Sequence, residues 1–384
     1  MKYIKLGNTG KHVSAIGLGC EHLDRKPYSV VKETVDSALS HSINIFDVFM
    51  PGKEVREHIA KALGDRRSDI LIQGHIGATD VNEQYDISRD LPTVKKYFEE
   101  LLRIFGGHID FGMMFFIDSE KNYRDVFETD FVKYVETLKK NGDIGHIGFS
   151  SHNPVTAMKA INTGLPEMLM FSVNPAFDML PVEVDSLEHL DGTFNAKLLE
   201  GIDAQRAALY TLCEKKQVGI TVMKALGAGK LLSKEHTPFA SPMSVSQCIH
   251  YALTRPAVSS VLLGCQSAAE IGSAMKYFDV SDSERDYSEV ISSFDSAFQG
   301  SCVYCSHCQP CPASIDIATV IKYLDIARLD VHSIPPSIRS HYRNLHATAD
   351  ACTKCGHCES RCPFGVPIIK NMAEAAELFA YIPK

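Results

Sequence analysis

The sequence predicts an α/β chain in which a (β/α)8 barrel is followed by a small, mainly helical, cysteine-rich module. Eight short apolar runs alternate with eight stretches whose apolar residues recur at helical spacing, and each run is apolar almost throughout. Buried strands that are each followed by a helix are typical of a closed parallel sheet. The module is indicated by eight cysteines that cluster near the C-terminus.

The predicted elements follow one another from residue 13 to about residue 280. The predicted strands are Val13–Gly19, Ile43–Phe49, Ile70–Ile76, Ile109–Ile117, Ile144–Ser150, Met168–Asn174, Val218–Lys224 and Val258–Leu263. The predicted helices are Ser29–Ser40, Glu54–Leu63, Pro92–Phe105, Tyr123–Lys140, Pro154–Thr163, Ala204–Lys216, Ser244–Thr254 and Ala268–Phe278. A doubly wound sheet is the alternative, but no GxGxxG motif follows the first strand, which ends in Gly17-Leu18-Gly19-Cys20.

The chain divides into a barrel over residues 1–282, a connecting segment over 283–300 and the module over 301–384. One amphipathic helix is predicted in the connection, over Ser283–Phe298. The predicted helices of the module are Ile317–Ala327, Ile338–Ala347 and Val366–Tyr381. The long loop from Ala176 to Glu200 is predicted to be a lid or binding loop, with a surface insertion as the alternative.

Composition narrows the classes of function. Of the 384 residues, 45% are hydrophobic and 22% charged, which describes an ordinary globular protein. The formal net charge of -8 argues against nonspecific binding to nucleic acid or anionic lipid. We expect no membrane span, because no apolar run reaches the required length, and no signal peptide begins the chain. A cytoplasmic protein is the expectation.

The cysteines form two runs with CxxC spacing, and a Cys-Pro pair ends each run. The runs are Cys302, Cys305, Cys308, Cys311 and then Cys352, Cys355, Cys358, Cys362. This pattern is typical of bacterial ferredoxins with two 4Fe–4S clusters, in which the fourth cysteine of each run binds the other cluster. A zinc site is a weaker alternative, since a four-ligand zinc site would not need its third and fourth thiols evenly spaced, and a disulfide framework is weaker still, since nothing marks the chain as secreted.

That pattern predicts which cysteines share a cluster. The first cluster would be held by Cys302, Cys305, Cys308 and Cys362, and the second by Cys311, Cys352, Cys355 and Cys358. The first run departs from the usual three-residue gap before its last cysteine, so the placement of Cys311 is the part of the prediction that the pattern supports least.

Five segments of the barrel resemble a known family. They are Met1–Gly19, Asn44–Asp47, Ile147–His152, Leu226–Gly229 and Leu263–Cys265. These segments resemble the aldo-keto reductases, and with the cysteines the chain looks like the subgroup that carries a C-terminal ferredoxin-type domain. The resemblance implies a TIM barrel that binds NAD(P)H and reduces carbonyls by hydride transfer, using an Asp-Tyr-Lys-His tetrad.

Only one member of that tetrad has a match in this chain. Asp47 matches the aspartate, residues 48–53 contain no tyrosine, His75 stands in place of the lysine, and Phe115 and Phe116 stand where the histidine is expected. The proton donor of ordinary carbonyl reduction is therefore missing. His75, oriented by Asp47, is the candidate catalytic pair, and a hydrogen-bonded packing pair is the alternative.

The resemblance also implies a nucleotide site at the strand ends. The matching candidates for cofactor binding are Ser150, Ser151, Lys224, Leu226, Gly227, Gly229, Gly264, Cys265 and Gln266. The glycine-rich turn and the start of the next helix suit a phosphate group. NAD(H) is favoured over NADP(H), because no basic residue follows Gly264 until Lys276, and a flavin or no nucleotide remains an alternative.

Position alone makes other polar residues at the strand ends candidates, among them Asp118, His152 and Lys224. The first hypothesis is an iron–sulfur oxidoreductase in which two 4Fe–4S clusters relay electrons from a ferredoxin- or flavodoxin-like carrier to a small molecule at the barrel mouth. One cluster would then have to lie near the mouth. The second hypothesis is a catalytically silent barrel that serves as an electron-transfer or assembly subunit of a partner oxidoreductase.

Overall fold

The computed structural model describes residues 1–81, 84–182, 201–292 and 300–380. Its strands are β1 (Tyr3–Lys5), β2 (His12–Ser14), β3 (Ile16–Gly19), β4 (Ile45–Val48), β5 (Leu71–Ile76), β6 (Ala78–Val81), β7 (Gln84–Ile87), β8 (Ile109–Met114), β9 (Ile144–Ser151), β10 (Met168–Ser172), β11 (Gly219–Met223) and β12 (Val258–Leu263). Eight of them close into a parallel barrel in the order β3-β4-β5-β8-β9-β10-β11-β12. The predicted (β/α)8 barrel is confirmed.

The helices of the barrel region lie between and after these strands. They are α1 (Tyr28–Ser40), α2 (Lys53–Leu63), α3 (Leu91–Ile104), α4 (Glu120–Phe127), α5 (Asp130–Asn141), α6 (Pro154–Asn162), α7 (Pro175–Asp178), α8 (Ala204–Lys216), α9 (Val245–Thr254), α10 (Ala268–Met275), α11 (Asp282–Arg285) and α12 (Ser288–Ile291). Buried apolar residues fill the space inside the barrel, and they are Leu6, Val13, Ile45, Phe111, Met113, Met168, Met170 and Leu262. Leu6 and Val13 come from the β1–β2 hairpin segment, which therefore closes the end of the barrel where the strands begin.

Two predicted helices are each divided in the structure. The helix expected over Tyr123–Lys140 is α4 followed by α5, because Thr129 is extended and its hydroxyl accepts a hydrogen bond from the Phe131 N–H at 3.2 Å. The helix expected over Ser283–Phe298 begins as α11 and α12, since Asp286 is extended and its carboxylate accepts from the Ser288 N–H at 2.8 Å. The remainder of that prediction, and most of the 176–200 loop, lie outside the described residues.

The cysteine module is mainly helical, as predicted. Its helices are α13 (Ile317–Arg328), α14 (Pro336–Arg343), α15 (His357–Arg361) and α16 (Ile368–Ala380). Arg328 joins the first to the last of these through hydrogen bonds to Glu374 at 2.7 and 2.9 Å and to Asn371 at 2.8 Å. Within the described ranges, no helix has both the length and the apolar character needed to cross a membrane.

Candidate functional site

The predicted pair Asp47 and His75 lies at the mouth of the barrel, where the parallel strands end. The register sets Asp47 beside Gln73, and His75 lies two residues further along the same strand, on the same face. One carboxylate oxygen of Asp47 accepts from His75 Nε2 at 2.8 Å and from Gln73 Nε2 at 3.1 Å. The structure therefore brings the two predicted residues into direct contact.

This pair is closed off from solvent. His75 is 2% exposed and Asp47 is 3% exposed. The rings of Phe49 and Phe115 lie edge-on to His75, with centroids 5.7 and 5.5 Å away. The second ring nitrogen of His75 is buried and has no hydrogen-bond partner among the described residues. A substrate could reach the pair only if these aromatic side chains moved.

A second polar chain at the mouth joins three residues that follow three different strands. The backbone N–H of His152 donates to Asp118 Oδ1 at 2.6 Å. Its ring Nδ1 lies 2.8 Å from Asp118 Oδ2, and its Nε2 lies 2.9 Å from Lys224 Nζ. Asp118, His152 and Lys224 thus form one hydrogen-bonded chain.

The electrostatics of this chain assign its protons. Burial and the neighbouring Lys224 ammonium lower the pKa of His152, although Asp118 opposes them. Burial raises the pKa of Asp118, but the attraction and hydrogen bonds of His152 outweigh it and hold that pKa below its usual value. An ionised Asp118 accepts the Nδ1 proton, so Nε2 of a neutral His152 accepts from Lys224. Lys224 is half-buried at the mouth, with its Nζ against His152 Nε2.

Several residues expected at a nucleotide site already form hydrogen bonds within the barrel. Ser150 Oγ accepts from the Phe116 N–H at 2.9 Å, and Ser151 Oγ donates to the Ile117 carbonyl at 2.8 Å. Gln266 donates its N–H to the carboxylate of Glu270 at 2.8 Å, so a negative charge already lies at the start of α10. These contacts compete with an incoming phosphate group.

The glycine-rich segment forms a tight turn. Gly227 donates its N–H to the Lys224 carbonyl at 2.9 Å, and Gly229 donates to the Leu226 carbonyl at 3.0 Å. Gly264 packs closely against the ring of His22, so a Cβ added to this glycine would lie 2.7 Å from a ring atom. Cys265 is buried beside this segment, with its N–H donating to the Leu263 carbonyl at 2.9 Å. Gly227 and Gly229 have φ values of 55° and 82°, in the left-handed region that favours glycine.

The eight module cysteines line two separate cavities. The first cysteine cavity contains Cys302, Cys305, Cys308 and Cys362. The second cysteine cavity contains Cys311, Cys352, Cys355 and Cys358. These are the groups of four that the spacing pattern defines. Ile317 and Ile368 line both cavities, so the two share a wall.

Arg361 links the two cysteine runs. Its guanidinium donates to the carbonyls of Cys308 and Pro310, each at 2.7 Å. This brings Cys362, the next residue, to the cavity of the first run. This role of Arg361 could not be predicted from the sequence, because a basic residue before a cysteine has no fixed partner. In the parts of the chain that the structure describes, no three His, Cys, Asp or Glu side chains converge closely enough to hold a single metal ion.

The cysteine module packs against the closed end of the barrel. Arg255, just before β12 begins, donates to the Val303 carbonyl at 2.6 Å, and the Tyr287 hydroxyl donates to the same oxygen at 2.7 Å. His341 of the module lies 3.7 Å from Glu214, near the end of α8. The expectation that one cysteine group lies near the mouth is therefore wrong. Each barrel helix runs back from the mouth, so the chain that leaves the last helix starts from the closed end.

Comparisons with known proteins concern the barrel. The family model described as "Aldo/keto reductase family" matches residues 15–247. The aldo-keto reductase AKR11C1 from Bacillus halodurans, in its holo form, superposes with a TM-score of 0.56 at 19% identity, covering 75% of this chain and 95% of that chain. A presumed aldo-keto reductase from Pseudomonas aeruginosa gives a TM-score of 0.55 at 19% identity, covering 72% of this chain and 94% of the other. At such identities the structural likeness concerns the fold. No curated protein sequence matches the chain.

Proposed function

The chain belongs to the aldo/keto reductase family, and from that premise we propose that it is an iron–sulfur oxidoreductase whose C-terminal module holds two 4Fe–4S clusters. The observation that carries the proposal is the pair of cysteine cavities. Cys302, Cys305, Cys308 and Cys362 would hold one cluster, and Cys311, Cys352, Cys355 and Cys358 the other.

The donor set fits such clusters. In a four-iron cluster each cysteine binds a different iron atom, so the four thiolates surround a cavity and do not converge on one point. Apolar side chains such as Phe364, Val366 and Met372 complete the cavity walls. When bound, clusters of this kind supply one-electron transfer, and the shared wall of Ile317 and Ile368 suits exchange between neighbouring centres.

Metal analysis tests the proposal. We expect protein purified without oxygen to contain about eight irons and as much acid-labile sulfide per chain. Cys305→Ala and Cys358→Ala should each remove about half of the iron, because each variant opens one cavity. Cys248→Ala is the matched control, since Cys248 is buried in the barrel and should leave the iron content unchanged. Two or fewer irons with bound zinc would contradict the proposal.

The barrel mouth favours a second activity, acid–base chemistry on a small molecule. The supporting observation is the Asp118–His152–Lys224 chain, whose half-buried ammonium could donate a proton where the tyrosine of the family is missing. A positioned proton donor raises a reaction rate by a factor on the order of 10²–10⁴. Lys224→Met should therefore lower any turnover at the mouth by that order, while Lys140→Met, an exposed change on α5, should not.

The electron donor and any organic cofactor can be identified by titration. NADH, NADPH, FMN and a reduced ferredoxin or flavodoxin would each be added to the anaerobic protein while the visible absorbance of the clusters is followed. Bleaching by one of them supports the oxidoreductase and names its donor. Bleaching by the protein carrier alone, with no small molecule turned over, would instead favour the electron-transfer or assembly subunit.

A further inference from the structure

A cavity of about 530 Å³ lies between the closed end of the barrel and the cysteine module. This volume falls within the range of small-molecule sites, roughly 300–1,000 Å³. The barrel contributes Lys2, His250 and Arg285 to its lining, and the module contributes Cys311 and Lys322. The cavity is distinct from the mouth and adjoins the second cysteine cavity, because Cys311 lines both.

The lining carboxylates already have partners. Asp282 pairs with Arg285 at 3.5 Å. Asp316 caps α13, accepting from the Thr319 N–H at 3.1 Å and from the Thr319 hydroxyl at 2.7 Å. Neither carboxylate forms an ion pair with the two lysines that line the same space, although the charges of Asp316 and Glu214 act against burial by raising the pKa of Lys322.

Lys2 and Lys322 form no ion pair with any described residue, although both line the cavity. Lys322 is half-buried, and burial lowers its pKa. His250 reports the same surroundings, since burial and the nearby Arg285, Arg255, Lys2 and Lys322 cations lower its pKa to about 3. The two lysines therefore present ammonium groups to the cavity that an anion could contact.

The remaining lining suits an organic body. Leu253, Tyr277, Tyr304 and Ile315 present apolar and aromatic surface, and the two lysines supply the polar groups. A site with an apolar surface and a few convergent polar groups is typical of small-molecule binding.

We propose that this cavity binds a small organic anion, whose carboxylate or phosphate group contacts Lys2 and Lys322 and whose body packs against the tyrosines. The bound anion would lie beside Cys311, at the end of the barrel opposite the mouth. Its relevance to electron exchange rests on the function proposed above, whereas the binding itself does not.

Isothermal titration calorimetry tests the site with two anions, pyrophosphate and citrate, on full-length protein purified without oxygen. We expect at least one of them to bind wild-type protein with a measurable Kd. Lys322→Gln should raise that Kd about tenfold, since a hydrogen bond to a charged group contributes on the order of one such factor. Lys140→Gln is the matched control, because it removes an exposed lysine that does not line the cavity.

Each outcome decides the proposal. Binding of pyrophosphate alone identifies phosphate as the preferred group, and binding of citrate alone identifies carboxylate. Absence of binding by both anions overturns the site, as does an equal Kd for Lys322→Gln and Lys140→Gln. Iron content is measured on the same samples, so protein that binds an anion through Lys322 but contains zinc would refute the clusters and leave the anion site standing.

Discussion

Polar residues at the two ends of the barrel have different hydrogen-bond partners. At the mouth, the polar side chains at the strand ends pair with one another, as Asp47 does with His75 and Asp118 with His152. At the closed end, Arg255 and Tyr287 of the barrel region bond instead to the module at Val303. The acid–base groups thus lie at one end of the barrel, and the module with its cysteines packs against the other.

That separation limits what the module can do for the mouth. A strand rises about 3.3 Å per residue, so the six residues of β8 span about 20 Å. Electron transfer slows steeply with distance, and nothing in the packed interior of the barrel shortens the path. If the module holds the proposed clusters, the difference between the ends therefore argues that their electrons would leave at the closed end, near the cavity lined by Cys311.

Paramagnetic broadening of histidine ring signals, followed by NMR, tests whether the proposed clusters are remote from the mouth. His307 lines the first cysteine cavity, whereas His152 and His75 lie at the mouth. On reduction of the anaerobic protein, we expect the His307 signal to disappear and the two mouth signals to remain. Substituting each histidine by glutamine assigns the signals. Loss of the His152 signal in the same step would place a reduced cluster near the mouth.

The sequence predicted most of the fold because each barrel strand is a buried apolar run. The last strand, Val258–Leu263, has the predicted bounds. The strand predicted over Ile109–Ile117 ends earlier, at Met114, because Phe115 turns over the mouth and Phe116 adopts a φ of 57°. The hairpin of β6 and β7 was not predicted, since its strands are short and mostly polar or exposed.

Contacts between residues that are far apart in the sequence could not be predicted from local sequence patterns. Asp118, His152 and Lys224 were each predicted at a strand end, but their contact depends on the order of β8, β9 and β11, and β10 lies between the last two. The grouping of cysteines followed from spacing alone. The position of the module did not, because it depends on Arg255 and on a backbone carbonyl that carries no sequence signal.

A second test loosens the junction at the closed end. Arg255 is buried, and besides its bond to Val303 its guanidinium lies over the rings of Tyr251 and Tyr304. We expect Arg255→Met to weaken the docking of the module by about 1.5–3 kcal/mol, the usual contribution of a hydrogen bond to a charged group.

Urea unfolding, followed by circular dichroism and by cluster absorbance, measures that loss. The absorbance transition of Arg255→Met should move to lower urea and separate from the transition of the barrel. Arg103→Met is the control, because the Arg103 side chain is 65% exposed. Coincident transitions in Arg255→Met and the wild type would mean that the contact with Val303 does not hold the module in place.

The smallest expected effect concerns the charge chain at the mouth, and it is read from the pKa of His152 in an NMR pH titration. Lys224→Met removes a cation that lowers this pKa, so the pKa should rise. Asp118→Asn removes the carboxylate that raises it, so the pKa should fall further. Because the folded-state pKa lies below the unfolded value, His152 favours the folded state above about pH 6.5, and this contribution is lost as the pH falls. A general loosening of the mouth would let water in and move both variants toward the ordinary value, whereas opposite shifts require that Asp118 and Lys224 act on His152 as charges.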